Sequence, residues 1–226
     1  MSVQTNRLVT YYNPKSHIAE SYRTLRTNIQ FSSIDQSIQC ILITSAQPED
    51  GKSTTAANLA IAYAQENKNV LLIDADLRKP TLHKIFGVSN MEGLTHLLIN
   101  NLKGNSEGLT QTSIPNLTLL PSGPVPPNPA ELLSSNKMST LINEMRQNFD
   151  IIIVDSPPIL AVTDSQVLAS KVDGVVLVLN HGKVKKDRAQ KAISQLEYVK
   201  AKILGVVLNN KAQSKQETSY YYYQQK

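Results

Sequence analysis

The segment Ser-Ala-Gln-Pro-Glu-Asp-Gly-Lys-Ser-Thr at residues 45–54 follows the apolar run Cys40–Ile43 and precedes a helical pattern. A loop between a strand and a helix offers phosphate oxygens several backbone N–H groups and the positive end of the helix dipole. In the pattern G-x-x-x-x-G-K-[ST], Lys52 supplies charge to the β- and γ-phosphates and Ser53 ligates Mg²⁺. Ala46 replaces the first glycine, which makes the motif alone moderately specific. The loop predicts a nucleoside triphosphate site.

Aspartates end two further apolar runs. Val70–Ile73 is followed by Asp74 and Asp76, and Ile151–Val154 is followed by Asp155. Runs without polar alternation are typical of parallel strands covered on both faces, and ligands collect at the carboxyl ends of such strands. A single aspartate at a strand end is more often a helix cap or a turn residue. Three of them in one chain with the phosphate loop instead predict that these carboxylates converge on that loop.

Strand and helix patterns alternate regularly along the chain. The strand patterns lie near residues 38–44, 70–74, 117–120, 151–155, 174–179 and 203–208. The helix patterns lie near residues 16–31, 52–65, 93–100, 129–147, 164–170 and 185–199. Such repeats predict an α/β fold, a P-loop NTPase-like parallel sheet flanked by helices. We expect one domain at residues 1–210 and a separate tail at 211–226.

Composition argues against several other classes of protein. Cys40 is the only cysteine, so no internal disulfide forms, and the four histidines have no metal-ligand spacing. The net charge of +5 is not accompanied by a nucleic-acid-binding motif, so no nucleic acid is expected as a partner. No apolar stretch approaches the length of a membrane span, and no leader pattern follows Met1. We therefore expect a cytoplasmic protein.

The tail differs from the rest of the chain. It has no aliphatic side chain larger than Ala212, and close to its end it contains four consecutive tyrosines, Tyr220, Tyr221, Tyr222 and Tyr223. A segment without core-forming residues is predicted to be disordered. Its tyrosines suit an aromatic docking patch or a low-complexity end, and they also suit a phosphorylatable segment that threads into an active site.

An acid and two arginines follow one another at spacings of three in the first helix pattern. They are Glu20, Arg23 and Arg26. By default such a pattern is a solvated helix face with a weak ion pair.

Five features in this order resemble the bacterial tyrosine kinases, or BY-kinases. They are the Glu20-x-x-Arg23-x-x-Arg26 helix, the loop at 45–54, the Asp74-x-Asp76-x-Arg78 and Val154–Pro158 strand ends, and the Tyr220–Tyr223 cluster. The resemblance covers nearly the whole chain and is to the separate cytoplasmic kinase of the Gram-positive arrangement. There the membrane-spanning adaptor is another polypeptide, and the kinase is typically encoded with capsule or exopolysaccharide enzymes. The resemblance implies an ATP- and Mg²⁺-dependent protein-tyrosine kinase.

The resemblance also assigns binding roles. It implies nucleotide contacts by Gly51, Lys52, Ser53 and Thr54 at the phosphates and, by similarity to related ATPases, by Asn209 and Asn210 at the adenine. It implies that Asp74 and Asp76 belong to the second Walker A-like motif beside the γ-phosphate, and that Asp155 is the Walker B acid, which acts with Ser53 at Mg²⁺.

Phosphoryl transfer to tyrosine needs a group that aligns the phenol and accepts its proton. We predict that Asp74 is this acceptor and that Asp76 organises Mg²⁺ and its waters beside the catalytic charge of Lys52. The two aspartates can exchange roles, because alternation places them on the same side of the strand. Arg78 either holds a phosphate or braces the turn.

The partners implied by the resemblance are proteins. The resemblance implies that Glu20, Arg23 and Arg26 form the interface of a homo-oligomer, such as a ring, rather than a solvated face. The phosphoacceptors are the tail tyrosines Tyr220, Tyr221, Tyr222 and Tyr223. An adaptor spanning the membrane activates the kinase and holds it at the inner face of the cell membrane. Other substrates are tyrosine-bearing proteins, including polysaccharide biosynthesis enzymes.

Two alternatives share the phosphate loop. One is a positioning ATPase like the MinD and ParA relatives, whose loop carries a lysine at the position of Gln47. The other is a nucleotide-gated scaffold of a polysaccharide export complex, in which autophosphorylation is the switch.

Overall fold

The computed structural model describes residues 7–32, 37–99 and 108–211, and these residues form a seven-stranded sheet. The strands are β1 (Cys40–Ser45), β2 (Val70–Asp74), β3 (Thr110–Gln111), β4 (Leu117–Leu120), β5 (Ile151–Asp155), β6 (Gly174–Asn180) and β7 (Ile203–Asn209). Their spatial order is β3-β4-β2-β5-β1-β6-β7. Every neighbouring pair is parallel except β3 with β4. The predicted parallel α/β sheet is confirmed, with one short antiparallel strand added at its edge.

The helices of the described ranges surround this sheet. They are α1 (Val9–Tyr12), α2 (His17–Phe31), α3 (Lys52–Ala64), α4 (Leu82–Phe86), α5 (Leu94–Ile99), α6 (Pro129–Ser134), α7 (Asn136–Asn148), α8 (Asp164–Ala169) and α9 (Lys186–Tyr198). The prediction of one helix over residues 129–147 is wrong. Ser135 has extended backbone angles (φ −60°, ψ 156°) and its side chain accepts a hydrogen bond from the Met138 N–H, so it caps a second helix.

The topology brings the carboxyl ends of the central strands together. β1 lies between β5 and β6, and β2 pairs with β5 on the other side. In that pairing Asp74 is directly opposite Asp155, while Ile43 of β1 is also in register with Asp155. Because parallel strands end at one edge of the sheet, the loop after β1 meets both aspartates there.

Helix α3 is deeply enclosed by the rest of the fold. Ile41 and Ile43 of β1 pack on one side of it, and Leu8 and Ile29 from the N-terminal segment pack in the same cluster. As a result every residue of α3 from Thr55 to Ala64 is buried. The phosphate loop therefore enters a helix held on all sides.

The other face of the sheet carries the second core cluster. Cys40 and Leu42 of β1 belong to this cluster together with side chains of α7 and α9, including Met145 and Leu196. Burial raises the pKa of the Cys40 thiol to about 12, so it stays protonated and acts as a small apolar side chain.

No helix in the described part of the chain is long and apolar enough to cross a membrane.

The tail at residues 211–226 lies outside the described residues apart from Lys211. The predicted phosphoacceptors fall in this part of the chain, and they are Tyr220, Tyr221, Tyr222 and Tyr223. The structure therefore tests neither their role nor the predicted disorder of the tail. Both stay predictions, as does the domain boundary at residue 210.

Candidate active site

The phosphate loop closes on a glycine in the left-handed region. Gly51 has φ +94°, and a Cβ built there would lie 1.9 Å from Nδ2 of Asn209. The Asn209 amide donates to the Asp50 carbonyl at 2.9 Å, so the end of β7 supports the loop. The Asp50 carboxylate accepts the Gln47 N–H at 3.0 Å within the loop. These contacts explain why Gly51 cannot be replaced by a larger residue without rearrangement.

Lys52 is placed between carboxylates. Its Nζ lies 2.7 Å from Oδ2 of Asp76 and 3.6 Å from Oδ1 of Asp155, and it donates to the Ser53 hydroxyl at 3.2 Å. Burial opposes the charge of Lys52, but Asp155 and Asp76 outweigh that effect and raise its pKa above the usual value. Lys52 is therefore a fixed positive charge at neutral pH.

The carboxylate oxygens of Asp155 lack hydrogen-bond partners within the described site. It is fully buried, and neither carboxylate oxygen has a hydrogen-bond partner of good geometry among the described residues. Burial raises its pKa, while Lys52 and the nearby Ser53 hydroxyl act in the opposite direction. Hard oxygen donors of this kind suit Mg²⁺, directly or through water. No group of three or more His, Cys, Asp or Glu side chains that could hold a metal ion occurs in the described ranges.

Asp74 is buried beneath the chain that follows β2. Its Oδ2 accepts the N–H groups of Thr81 and Leu82 at 3.0 and 2.9 Å, and its Oδ1 has no partner in the described structure. Burial, followed by the charge of Asp155, raises the pKa of Asp74 to about 8. Asp74 therefore holds a proton over much of the neutral range.

A cavity of about 690 Å³ lies beside these groups. The predicted residues that line it are Gly51, Lys52, Ser53, Thr54 and Asp76. Asp74, Asp155, Asn209 and Asn210 are not among its lining residues. Of the two aspartates predicted to be catalytic, Asp76 is thus the one in contact with the cavity, and its Oδ1 also accepts the Lys79 N–H at 3.0 Å.

Arg78 extends from the same loop and forms a two-point ion pair. Its Nε and Nη2 donate to the two carboxylate oxygens of Asp164 at 2.9 and 3.0 Å. The Asp164 side chain is fully buried, whereas that of Arg78 is 39% exposed and lines the cavity. Sequence reasoning singled out Arg78 but missed Asp164, because the partners are far apart in the chain and a helix-start aspartate is commonplace.

Asn209 and Asn210 lie at the end of β7. Asn209 contacts the loop backbone as described, and Asn210 is exposed with φ +58°. A further asparagine that the sequence did not indicate, Asn180, approaches the Glu49 carbonyl at 3.4 Å. The role of Asn209 and Asn210 at an adenine ring stays a prediction.

The three charged residues of α2 do not behave alike. Arg23 pairs with Glu20 at 2.7 Å on the exposed surface. Arg26 instead pairs with Glu66 at 2.6 Å and donates to the Ala62 carbonyl at 2.8 Å, and its side chain is only 11% exposed. Arg26 therefore fixes α2 on α3, and Glu20 and Arg23 are the members of the motif that face outward.

The fold and the phosphate site define the class of protein. A family model of the ParA group, described as NUBPL iron-transfer P-loop NTPase, matches residues 36–225. This chain is a P-loop NTPase by fold, a class that binds a nucleotide with a divalent metal. The iron transfer in that description does not carry over, since thiolate ligands are lacking in a chain whose only cysteine is the buried Cys40.

Similar proteins narrow the class. The tyrosine-protein kinase YwqD of Bacillus subtilis (strain 168) is 50% identical over 216 residues, covering 95% of this chain and 90% of YwqD. The tyrosine-protein kinase CpsD of Streptococcus agalactiae is 40% identical over 194 residues, covering 84% of this chain and 82% of CpsD. The crystal structure of the chimerical protein CapA2B2 superposes with a TM-score of 0.88 at 42% identity, covering 92% of this chain and 91% of that one. The chain belongs to the bacterial tyrosine-protein kinase family, and its activity is that of a protein-tyrosine kinase.

Proposed function

We propose that this tyrosine kinase uses ATP and Mg²⁺ and thereby regulates capsule or exopolysaccharide synthesis or export. It transfers the γ-phosphoryl group to its own tail tyrosines, Tyr220, Tyr221, Tyr222 and Tyr223. One observation carries the proposal: the Lys52 side chain, only 12% exposed, lies between Asp76 and Asp155, whose oxygens have no hydrogen-bond partner among the described residues, at the wall of a cavity lined by the phosphate loop. Phosphoryl transfer depends mainly on alignment and charge neutralisation, and this arrangement supplies both.

The nucleotide side of the site rests on the loop. The N–H groups at the start of α3 and the Lys52 charge bind the phosphates. Mg²⁺ would be held by Ser53, Asp155 and Asp76. When bound, it would neutralise charge on the phosphates. The Asn209 support keeps the loop in the conformation that Gly51 allows.

The acceptor side needs a group for the phenolic proton. In the reaction the bond from the γ-phosphorus to the β–γ bridging oxygen breaks, a bond to the tyrosine Oη forms, and the proton leaves the phenol. Only the ionised form of Asp74 can accept this proton, and with a pKa of about 8 that carboxylate is a stronger base towards a phenol near 10 than an ordinary aspartate, which favours Asp74 as acceptor. The position of Asp76 at the wall of the cavity instead favours Asp76 as the proton acceptor. We keep Asp74 in this role and treat Asp76 as the metal-side carboxylate.

The assembly is proposed from the outward face of α2. Glu20 and Arg23 have side chains 51% and 29% exposed, and a neighbouring subunit can reach both. We infer a homo-oligomer formed through this face, with tail tyrosines of one subunit entering the cavity of another. We place the kinase in the cytoplasm at the inner face of the cell membrane, held there by a membrane-spanning adaptor.

The test is a labelling experiment on the full chain. Purified protein is incubated with γ-labelled ATP and Mg²⁺, with and without the cytoplasmic segment of a candidate adaptor, and phosphotyrosines are mapped. We expect adaptor-stimulated label on the Tyr220–Tyr223 cluster and none in the Lys52→Met variant. Label mainly on Tyr11 or Tyr12 would refute the tail as principal acceptor, and undiminished label in Lys52→Met would remove the site from the reaction.

A further inference from the structure

The cavity has a basic side that the nucleotide chemistry does not use. Arg7, Arg78 and Lys79 line it in addition to Lys52 of the phosphate loop. Lys52 is paired with Asp76, whereas Arg7 and Lys79 form no ion pair within the described ranges. We call Arg7, Arg78 and Lys79 the basic rim. It places positive charge beside, rather than within, the phosphate loop.

Arg78 is fixed in place by a buried partner. Asp164 is fully buried, and both of its oxygens are occupied by Nε and Nη2 of Arg78. Burying a carboxylate is costly unless its partner is held in good geometry. The pair leaves Nη1 of Arg78 without a hydrogen-bond partner in the described structure, on a side chain that is 39% exposed. A guanidinium held in this way is an oriented donor for a second anion.

Arg7 is brought to the cavity by a buried amide on α3. Asn58 is fully buried, and its Nδ2 donates to the Arg7 carbonyl at 2.7 Å. The Asn58 Oδ1 accepts the Thr10 N–H at 2.9 Å. The backbone of the N-terminal segment is thereby attached to the phosphate-loop helix, and the exposed Arg7 side chain starts from a fixed point beside the cavity.

An apolar wall completes the cavity. It is formed by Pro157, Pro158, Ala161 and Val162 after β5, with Ile85 from α4. Such a wall suits the flat ring of a tyrosine whose hydroxyl faces the phosphate loop. An anion carried by the residue next to that tyrosine would then lie at the cavity margin, where the basic rim is.

We propose that the basic rim binds an anionic side chain next to the acceptor tyrosine, and that in this chain the anion is a phosphotyrosine, so that the first phosphorylation of the cluster primes the next. This inference rests on the proposed function. Tyr220–Tyr223 are contiguous, and Glu217 is the only acidic residue of the tail. A phosphate adds about −1.5 to −2 charges and three acceptor oxygens, which a neutral tyrosine lacks. Each transfer therefore makes the neighbouring tyrosine a better substrate.

The experiment compares peptides that carry one acceptor tyrosine beside phenylalanine, glutamate or phosphotyrosine. With the adaptor-stimulated full chain we expect kcat/KM to be roughly tenfold higher for the phosphotyrosine peptide than for the phenylalanine peptide, the size expected of one good charge-assisted contact. Glutamate should lie between them, because it carries less charge. An intact-mass time course should show multiply phosphorylated chains without accumulation of the singly phosphorylated form.

Variants of the rim test the assignment. Arg7→Gln and Lys79→Gln change exposed side chains, and Arg78→Gln is made together with Asp164→Asn, so that no buried carboxylate is left unpaired. Each should reduce the ratio of kcat/KM for the phosphotyrosine and phenylalanine peptides, and the combined variants should bring it close to one. Lys84→Gln is the matched control, since Lys84 is exposed on α4 but does not line the cavity, and it should keep the wild-type ratio.

The outcomes separate this inference from the proposed function. If all three peptides are phosphorylated with equal kcat/KM, the basic rim does not recognise a neighbouring anion, and the kinase assignment still stands. Equal values for glutamate and phosphotyrosine would overturn priming and leave a preference for any anion. If the rim variants keep the wild-type ratio of kcat/KM for the phosphotyrosine and phenylalanine peptides, the phosphotyrosine is bound by other residues and the role of the basic rim is refuted. Absence of phosphorylation in every peptide and in the tail would overturn the proposed function itself.

Discussion

Replacement of Gly51 by alanine should lower the free energy of unfolding by more than the left-handed backbone of this residue alone explains. An alanine at φ +94° costs about 1 kcal/mol through its Cβ and the following carbonyl. The new Cβ would also lie 1.9 Å from Nδ2 of Asn209, so that side chain has to move and lose its hydrogen bond to the Asp50 carbonyl. A lost hydrogen bond of this kind costs about 1 kcal/mol. We therefore expect Gly51→Ala to lower the free energy of unfolding by about 2 kcal/mol.

Gly182→Ala is the matched control. Gly182 has φ +78°, and a Cβ there meets no heavy atom within 4 Å, so only the backbone cost of about 1 kcal/mol applies. Urea denaturation followed by far-UV circular dichroism measures both variants, which suits a chain without tryptophan.

A double-mutant cycle checks the cause. If Asn209 is the group displaced, Asn209→Ala should cost about 1 kcal/mol alone but almost nothing in the Gly51→Ala background. Equal destabilisation by Gly51→Ala and Gly182→Ala would refute the steric argument, and so would fully additive effects of Gly51→Ala and Asn209→Ala.

Further predictions follow from the charged groups. Lys52→Met should abolish phosphoryl transfer with unfolding behaviour retained, measured by labelling and circular dichroism. Asp155→Asn should weaken MgATP binding in calorimetry more than Asp74→Asn does, and equal losses would contradict the division of roles. The pKa of Asp74 is raised to about 8, so between about pH 4 and pH 8 the folded chain keeps a proton that the unfolded chain loses. The free energy of unfolding should therefore decrease as the pH rises through this window, and the decrease should be smaller in Asp74→Asn. Arg26→Ala should cost about 2 kcal/mol in urea denaturation and Arg23→Ala under about 0.5, since only Arg26 is enclosed.

The central sheet was predictable because its strands are buried on both faces. An apolar run such as Ile151–Val154 has no polar alternation, and its position does not depend on distant residues. β3 was missed because it is two residues long and exists through its pairing with β4, Thr110 opposite Leu119. The break at Ser135 was missed because helical periodicity continues across it. A serine that caps the next helix is a local signal that could have shown it.

The site was predictable as a set of residue types and less so as a geometry. The convergence of Asp74 and Asp155 follows from parallel strands, and the register confirms that they are neighbours. The sequence placed Asp74 and Asp76 on one side by strand alternation, but β2 ends at Asp74 and alternation does not continue into the loop. Asp76 is consequently at the cavity, and Asp74 is under the chain. Arg78 and Asp164 come together only through the tertiary fold, which spacing along the chain does not reveal.

The balance of charge at the strand ends explains why nucleotide and metal should bind together. Three aspartates lie near one lysine, which pairs with two of them, and a triphosphate would add further negative charge beside them. Asp74 reduces the conflict by keeping its proton near neutral pH, and Asp76 is neutralised by Lys52 at 2.7 Å. Asp155 has two buried oxygens without hydrogen-bond partners in the described structure. A divalent cation held by Asp155 and Ser53 beside the phosphates, as proposed above, would satisfy both needs at once, because it would supply the missing contact to Asp155 and offset the repulsion. Nucleotide without Mg²⁺ meets that repulsion uncompensated and should bind more weakly.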